Sequence, residues 1–318
     1  RSSDLTISNV IKLLAGVLVG FLLPKIIGVT DYGYYKTFTL YATYVGLFHL
    51  GFADGIYLKY GDKNYEELER NKFRLYSSFL FLLELFFSLI LGVVFFFSLQ
   101  GEIKFIFLCL IVYMFAFNIT GYYQVISQIT KRFNELSIRN IIQSLLTAIA
   151  VFALWLVYKF NGELQSYRIY TLIFVSIFIL LAIWYVITYR DLTFGKGEPF
   201  KGNWKHLFSF FLIGFPLLIA NLCSALILAI DRQFVSILFD TDTYAVYAFA
   251  YNMLALITTA LSAISTVIYP TLKRTNKETL KNNYSFLVEI ILIFVFACLL
   301  VYFPLAKFVP WLDRKSVV

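Results

Sequence analysis

The sequence predicts an all-α membrane protein: a polytopic bundle of about nine transmembrane helices joined by short connectors. Of the 318 residues, 60% are hydrophobic and only 14% are charged, and the mean hydropathy is +0.77. Soluble domains carry about 25% charged residues, so this chain is too apolar to cover its own surface in water. The apolar residues form runs of spanning length, and the alternating polarity of a membrane β-barrel is absent.

Nine runs form the predicted spans, and short polar connectors separate them. In hydrocarbon every backbone N–H and C=O must be paired within its own segment, so each run is expected to be a helix. The seventh run is longer than a bilayer requires and contains Pro216. We therefore expect an interfacial turn there, followed by a span from about Gly214. The runs are 7–28, 33–58, 75–99, 103–128, 138–158, 168–189, 206–238, 243–270 and 284–305.

Lys and Arg near the span ends predict the orientation. The connectors that follow even-numbered spans hold most of them, for example Lys131 and Arg132 after span 4. The opposite connectors hold fewer, and Lys36 is counted with that outer group. Because cytoplasmic connectors are enriched in Lys and Arg, we place the N-terminus in the cytoplasm. The net charge of +8 then reflects the Lys and Arg residues of the cytoplasmic connectors.

The sequence offers no chemistry typical of a soluble enzyme. Cys109, Cys223 and Cys298 lie within apolar runs and are interpreted as small hydrophobic residues, not as a disulfide framework. Two histidines do not supply a His-based metal site. There is no glycine-rich phosphate loop, nucleophile elbow or soluble basic patch. We expect no enzymatic activity, no cofactor, no metal and no nucleic-acid partner; the bilayer is the expected surrounding.

A polar stripe in span 1 needs an explanation, because polar groups are costly in lipid. Lys12, Gly16 and Gly20 recur every four residues and share one helix face. The stripe could be a small-residue seam for a neighbouring helix, with Lys12 reaching the cytoplasmic surface. Alternatively, it forms a wall of a water-filled cavity that receives an anionic group.

Charged groups in other spans leave similar alternatives open. In span 7 Asp231 adjoins Arg232, and Asn221 shares the helix face of Asp231. The pair is either a local ion pair near the outer interface, or Arg232 faces the lumen with Asp231 as its partner or as a titratable group. Glu84 and Glu289 are isolated in the sequence, so each needs a partner from another helix or is protonated.

Neutral polar stripes occur in spans 4, 5 and 8. They include Asn118 and Gln124, Asn140 and Gln143, and Asn252. Such groups bond one helix to the next at modest gain, which is the preferred interpretation. They are equally suited to line a hydrated path with donors and acceptors for sugar hydroxyls.

A weak repeat suggests two lobes. Span 1 is followed by Tyr32-Gly33-Tyr34-Tyr35 and span 7 by Tyr244-Ala245-Val246-Tyr247, both of the form Tyr-small-x-Tyr. Parallel repeats of spans are common in transporters. We expect a first six-helix lobe at 1–189, a cytoplasmic linker at 190–205 and three helices of a partial second lobe at 206–318. The chain does not begin with Met, so we expect it to be a fragment.

Three short motifs carry a family resemblance. They are Pro24-x3-Gly28-x3-Tyr32-Gly33-x-Tyr35, the segment Leu50–Ile56 that contains Asp54, and Ile230-Asp231-Arg232 followed by Tyr247-x2-Ala250. With these motifs the chain resembles bacterial oligosaccharide flippases of the polysaccharide-export type. The superfamily also contains multidrug extruders and the lipid II flippase. Members often have glycines between spans 7 and 8, where this chain has Phe239–Ala245. Members also have 12–14 spans, so the resemblance implies that this chain is C-terminally truncated.

The resemblance implies a carrier in the bacterial cytoplasmic (inner) membrane, working in polysaccharide, lipopolysaccharide or O-antigen biosynthesis. It would move an undecaprenyl-diphosphate-linked oligosaccharide from the inner to the outer leaflet by alternating access, with polysaccharide-assembly proteins as further partners. The polar residues within the spans are consistent with this function, because their cations and amides would replace the hydration that the diphosphate headgroup loses. The cavity candidates are Lys12, Arg232, Asp231, Asn118, Gln124, Asn140, Gln143, Asn221 and Asn252; the packing or gating candidates are Gly16, Gly20, Pro24, Gly33, Asp54 and Pro216.

Two other functions compete with this one. A cation-coupled multidrug extruder of the same superfamily would need carboxylates in its core. A polytopic polysaccharide polymerase or glycosyltransferase would need a long outer loop with catalytic residues, and the outer connectors are short.

Overall fold

The computed structural model describes residues 2–61, 63–255 and, further along, 288–289, 292–293 and 296. Residues 1–260 form one compact unit and 261–318 a second one. The described residues of the second unit are all helical. In the first unit the helices are α1 Ser2–Ile27, α2 Val29–Ala42, α3 Phe52–Tyr60, α4 Arg70–Ser98, α5 Gly101–Ile129, α6 Phe133–Asn161, α7 Tyr167–Thr188, α8 Arg190–Thr193, α9 Trp204–Leu238 and α10, described over 241–255.

The predicted fold class is confirmed. No strand occurs among the described residues, and five described helices, α4, α5, α6, α7 and α9, are long and apolar enough to cross a membrane. The chain is therefore a multi-pass membrane protein. Helix α5 lies at the centre, packed against α2, α3, α4 and α7. Of the predicted spans, the eighth is described only up to residue 255, and the ninth lies almost wholly outside the described residues.

The second predicted span differs from expectation, because it is not one continuous helix. Helix α2 ends at Ala42, a 3-10 turn covers Val45–His49, and α3 starts at Phe52. Leu50 and Gly51, which lie between the 3-10 turn and α3, have φ angles of 53° and 81°. Residues inside a right-handed α-helix have negative φ angles, so the helix is interrupted here. Irregular backbone at membrane depth is tolerated only where protein groups satisfy it. The Asn118 amide donates to the Val45 carbonyl at 3.0 Å, and the Gly51 N–H donates to His49 Nδ1 at 3.0 Å.

Asn118 should therefore stabilise the break in span 2. Its side chain is buried, and Asn118→Leu would leave the Val45 carbonyl without this partner. We expect a loss of about 1–3 kcal/mol in the free energy of unfolding, seen as a lower midpoint of thermal unfolding in detergent. Asn221→Leu is the matched control, because Asn221 is exposed on α9. Equal midpoints for the two variants would contradict this role.

A glycine seam joins α3 to α9. Gly51 and Gly55 face Gly214 so closely that an added Cβ on Gly214 would lie 2.6 Å from the Gly55 nitrogen and would overlap the Gly51 carbonyl. Small residues let helix backbones approach in this way within membranes. Helix α9 runs without interruption from Trp204 through Pro216, so the expected separation of an interfacial turn from a span at Gly214 is not seen.

On the predicted outer side, the start of α10 packs against α2. Asp240 caps α10 by accepting the Thr243 N–H at 2.9 Å, and hydrogen bonds from Thr243 lower the pKa of Asp240. The Thr30 hydroxyl donates to Asp242 at 2.7 Å. Gly33 lies against the backbone of Thr241 with no room for a side chain. These contacts bring the predicted gating residue Gly33 into a tight helix contact.

Candidate functional site

A polar cavity of about 270 Å³ lies between α1, α2, α6, α7 and α10. Helix α1 packs along α6, and its Lys12–Gly16–Gly20 stripe faces this space. The glycines of the stripe leave room beside α6, where bulkier side chains would fill it. Side chains with donors and acceptors line the cavity: Lys12, Tyr32, Tyr35, Lys36, Gln143, Ser144, Thr147, Tyr170 and Asn252.

Two lysines give the cavity its charge. Lys36 is partly buried; its Nζ donates to Asn252 Oδ1 at 3.3 Å and lies 5.1 Å from the centre of the Tyr32 ring. Lys12 is exposed, and it lies on the N-terminal half of α1. Neither lysine forms an ion pair with a carboxylate of the described residues. Among the residues that the structure describes, no acidic side chain lines the cavity, so the described lining is electropositive.

Tyrosines from the first copy of the predicted repeat line the cavity near the start of α2. Tyr32 and Tyr35 are buried in its wall, and the Tyr32 hydroxyl has no hydrogen-bond partner in the part of the chain described. Tyr244, from the second copy of the repeat, donates to the Lys36 carbonyl at 3.1 Å. The Tyr32 ring packs edge-on against Phe249, with 6.3 Å between the ring centres. The two Tyr-small-x-Tyr motifs therefore lie against each other.

Asp231 and Arg232 have separate partners. The Tyr247 hydroxyl donates to Asp231 Oδ2 at 2.7 Å. The Arg232 guanidinium lies 3.9 Å from the centre of the Tyr251 ring and donates to the Leu228 carbonyl at 2.9 Å. Neither residue lines the described cavity, although Arg232 is close enough to Lys36 to repel it.

The other candidate residues are distributed over the bundle. Asn118 supports the break in span 2, and Gln124 lies beside Tyr185 in the α5–α7 contact. Asn140 is partly buried on α6, one turn before Ser144, and Asn221 is exposed on α9. The structure thus brings Lys12, Gly16, Gly20, Gln143 and Asn252 together around one cavity.

The remaining packing candidates lie at helix ends or bends. Pro24 lies inside α1, and its carbonyl accepts the Gly28 N–H at 3.2 Å where the helix ends. Asp54 lies in the first turn of α3 near His49, and its Oδ2 is buried with no hydrogen-bond partner among the described residues. Pro216 lies within α9, half a turn after the glycine seam residue Gly214.

The carboxyl group of Glu84 is a polar group within a membrane span that also requires an explanation. It is fully buried on α4 beside Asn118, and neither of its carboxyl oxygens has a geometrically satisfactory hydrogen bond in the described structure. An ionised carboxylate in such a place is costly. A protonated carboxyl could donate to Asn118 Oδ1, which also lacks a partner. Glu84 lies away from the cavity lining.

Sequence reasoning missed Lys36 as a cavity residue, because its charge was counted with the outer connector. Its spacing held the signal: Tyr32 and Lys36 are four residues apart and share one face of α2. Tyr170 was also missed, since a tyrosine near a span end is typical of the aromatic belt. Only the packing of α7 against α2 brings Tyr170 to the cavity.

Comparison with protein-family profiles matches residues 3–276 to the family described as polysaccharide biosynthesis protein. The match covers α1 to α9 and the described part of α10, so it includes each described helix that lines the cavity. No curated protein and no solved structure gives a significant match. With more than half of its length matched, the chain belongs to the polysaccharide biosynthesis protein family, whose members are membrane proteins and include flippases.

Proposed function

We propose that the chain translocates a lipid-linked oligosaccharide, carried on undecaprenyl diphosphate, from the inner to the outer leaflet of the bacterial cytoplasmic membrane. The observation that supports this most is the polar cavity with Lys12 and Lys36 on its wall and no acidic residue within its described lining. A diphosphate is anionic, and unpaired ammonium groups in a partly dehydrated space attract it strongly.

The neutral groups of the cavity suit the sugar part. Gln143, Thr147 and Asn252 offer donors and acceptors, and the buried Tyr32 hydroxyl has no partner in the described residues. Buried polar groups without partners are costly until water or a ligand satisfies them. Such groups would replace the hydration that sugar hydroxyls lose on leaving water.

The cavity is smaller than a whole lipid-linked oligosaccharide requires. Its 270 Å³ can hold several waters but lies below the range of about 300–1,000 Å³ for ligand pockets. Translocation would therefore widen it, and we propose that two lobes, 1–189 and 206–318 with linker 190–205, rock against each other. The α2–α10 contacts at Gly33 and Thr30 would open in that movement.

A cation-coupled multidrug extruder is the second candidate. Such a protein would place carboxylates where a cationic drug or a coupling ion binds. Among the described residues, Asp231 and Glu84 are the carboxylates that could serve such a role, and both lie outside the cavity lining. A polymerase or glycosyltransferase is a weaker candidate, because the outer connectors between the described helices are short.

Lys12 provides the test. In a host that lacks its own polysaccharide exporter, Lys12→Ala should lower polymer export several-fold, and Lys12→Arg should restore it, because the cation and not the side-chain shape is required. Lys25→Ala is the matched control, since Lys25 is exposed on the same helix but absent from the cavity. Arg232→Ala should have a smaller effect than Lys12→Ala. Full export by Lys12→Ala would remove this cation from the mechanism.

A further inference from the structure

An apolar groove of about 680 Å³ lies on the other side of α7, between α4, α5 and α7. Almost none of its surface is polar. Helix α7 separates it from the cavity, because Tyr170 and Phe174 line the cavity and Ile183 and Ile187 line the groove. Its walls include Phe81, Leu85, Ile111, Phe115, Ile183 and Ile187.

The groove ends at the predicted cytoplasmic surface, where free cations adjoin it. Phe194, just after α8, forms part of the lining. Arg190 and Lys196 flank it in the chain; both are exposed, and neither side chain has a hydrogen bond or ion pair in the described structure. The acidic Asp191 is already engaged, by the Tyr65 hydroxyl at 2.7 Å and Arg70 at 3.5 Å.

The connector that presents these cations is held in place by α4. Arg74 Nε donates to the Asp191 carbonyl at 2.9 Å, and Arg74 Nη1 donates to the Lys196 carbonyl at 3.3 Å. Gly195 has a φ of 115°, which favours glycine, and it packs directly on the Arg74 guanidinium. The connector backbone that carries both cations is therefore fixed beside Phe194, at the end of the groove.

We propose that this groove binds one acyl chain of an anionic phospholipid of the cytoplasmic leaflet, with its phosphate held by Arg190 and Lys196. An apolar concavity that ends beside unpaired cations matches a molecule with an apolar tail and an anionic head. The bound lipid is distinct from the transported one, because the wall formed by α7 lies between the groove and the cavity.

Native mass spectrometry of the purified protein with added phosphatidylglycerol or phosphatidylethanolamine tests the proposal. We expect at least fivefold tighter binding of the first phosphatidylglycerol. Ile183→Trp, which fills the groove, should abolish that binding. Leu172→Trp is the control, because Leu172 lies on the same helix outside the groove and is 51% exposed against 50% for Ile183. Val112→Trp fills the groove from α5 if Ile183→Trp fails to fold.

The charge is tested separately. Arg190→Gln with Lys196→Gln should reduce the preference for phosphatidylglycerol to less than twofold. Lys201→Gln with Lys205→Gln, at the end of the same connector and in the first turn of α9, should keep it. Equal binding of the two phospholipids to the unaltered protein, or unchanged binding by Ile183→Trp, would overturn the proposal. Displacement of phosphatidylglycerol by equimolar polyprenyl phosphate, or loss of a dimer on filling the groove, would assign a different occupant and also overturn it.

Discussion

Replacement of Lys36 by Met should reduce polymer export by about tenfold to one-hundredfold. Hydrogen bonds to charged groups contribute about 1.5–3 kcal/mol, and about 1.4 kcal/mol corresponds to a factor of ten. Lys36 is partly buried at the cavity wall, its contacts Asn252 and Tyr32 are neutral, and Met keeps most of the length and the apolar stem of lysine. Export of labelled polymer to the cell surface, normalised to the amount of protein in the membrane, measures the effect.

Two further variants separate charge from packing at Lys36. Lys36→Arg should keep part of the export, because the positive charge remains. Lys104→Met is the matched control: Lys104 is also partly buried and lies 3.8 Å from the centre of the Phe96 ring, outside the cavity. Normal export by Lys36→Met, or an equal loss in Lys104→Met, would contradict a role for Lys36 in binding the substrate.

The second large effect is expected at the glycine seam. Gly214→Ala should lower the yield of folded protein several-fold, because the new methyl group meets the backbone of Gly51 and Gly55 on α3. Over-packing of this kind costs about 1–3 kcal/mol, and backbone atoms cannot move aside as a flexible side chain would. The monodisperse fraction in detergent and its unfolding midpoint measure the loss.

Gly92→Ala is the control for this change. The same methyl group is added within a membrane helix, but no atom lies within 4 Å of the new Cβ. Since Ala favours a helix over Gly by about 1 kcal/mol, Gly92→Ala should be neutral or stabilising. A Gly214→Ala protein as stable as Gly92→Ala would show that α3 and α9 do not meet as described.

Much of the fold could be predicted from the sequence, because a long apolar run with few charges forms an α-helix in lipid. Helices α4 to α7 lie where spans 3 to 6 were expected. The break in span 2 could not be predicted in this way. Leu50-Gly51 is an ordinary apolar dipeptide, and the hydrogen bonds of Asn118 to Val45 and of Gly51 to His49, which stabilise the irregular backbone around it, cannot be read from the sequence.

The candidate site was predictable where spacing along one helix determines it. Lys12, Gly16 and Gly20 share a face at intervals of four, and they do line one cavity. Asn118 showed the limit, because a polar stripe does not reveal whether its groups face a cavity or a broken neighbouring helix. Lys36 showed another limit. Its contact with Asn252 depends on the packing of α10 against α2, and these two residues are more than two hundred positions apart in the sequence.

Transport by the purified protein in vesicles is the most direct test of the proposed function. The protein is reconstituted with an undecaprenyl-diphosphate-linked oligosaccharide, and the fraction of sugar that becomes accessible to a membrane-impermeant lectin is followed with time. We expect the unaltered protein to expose the sugar far faster than empty vesicles, and the Lys12→Ala, Lys36→Met double variant to lose most of this rate. Sugar exposure no faster than in empty vesicles, together with uptake of a cationic dye, would contradict the flippase and favour the drug extruder.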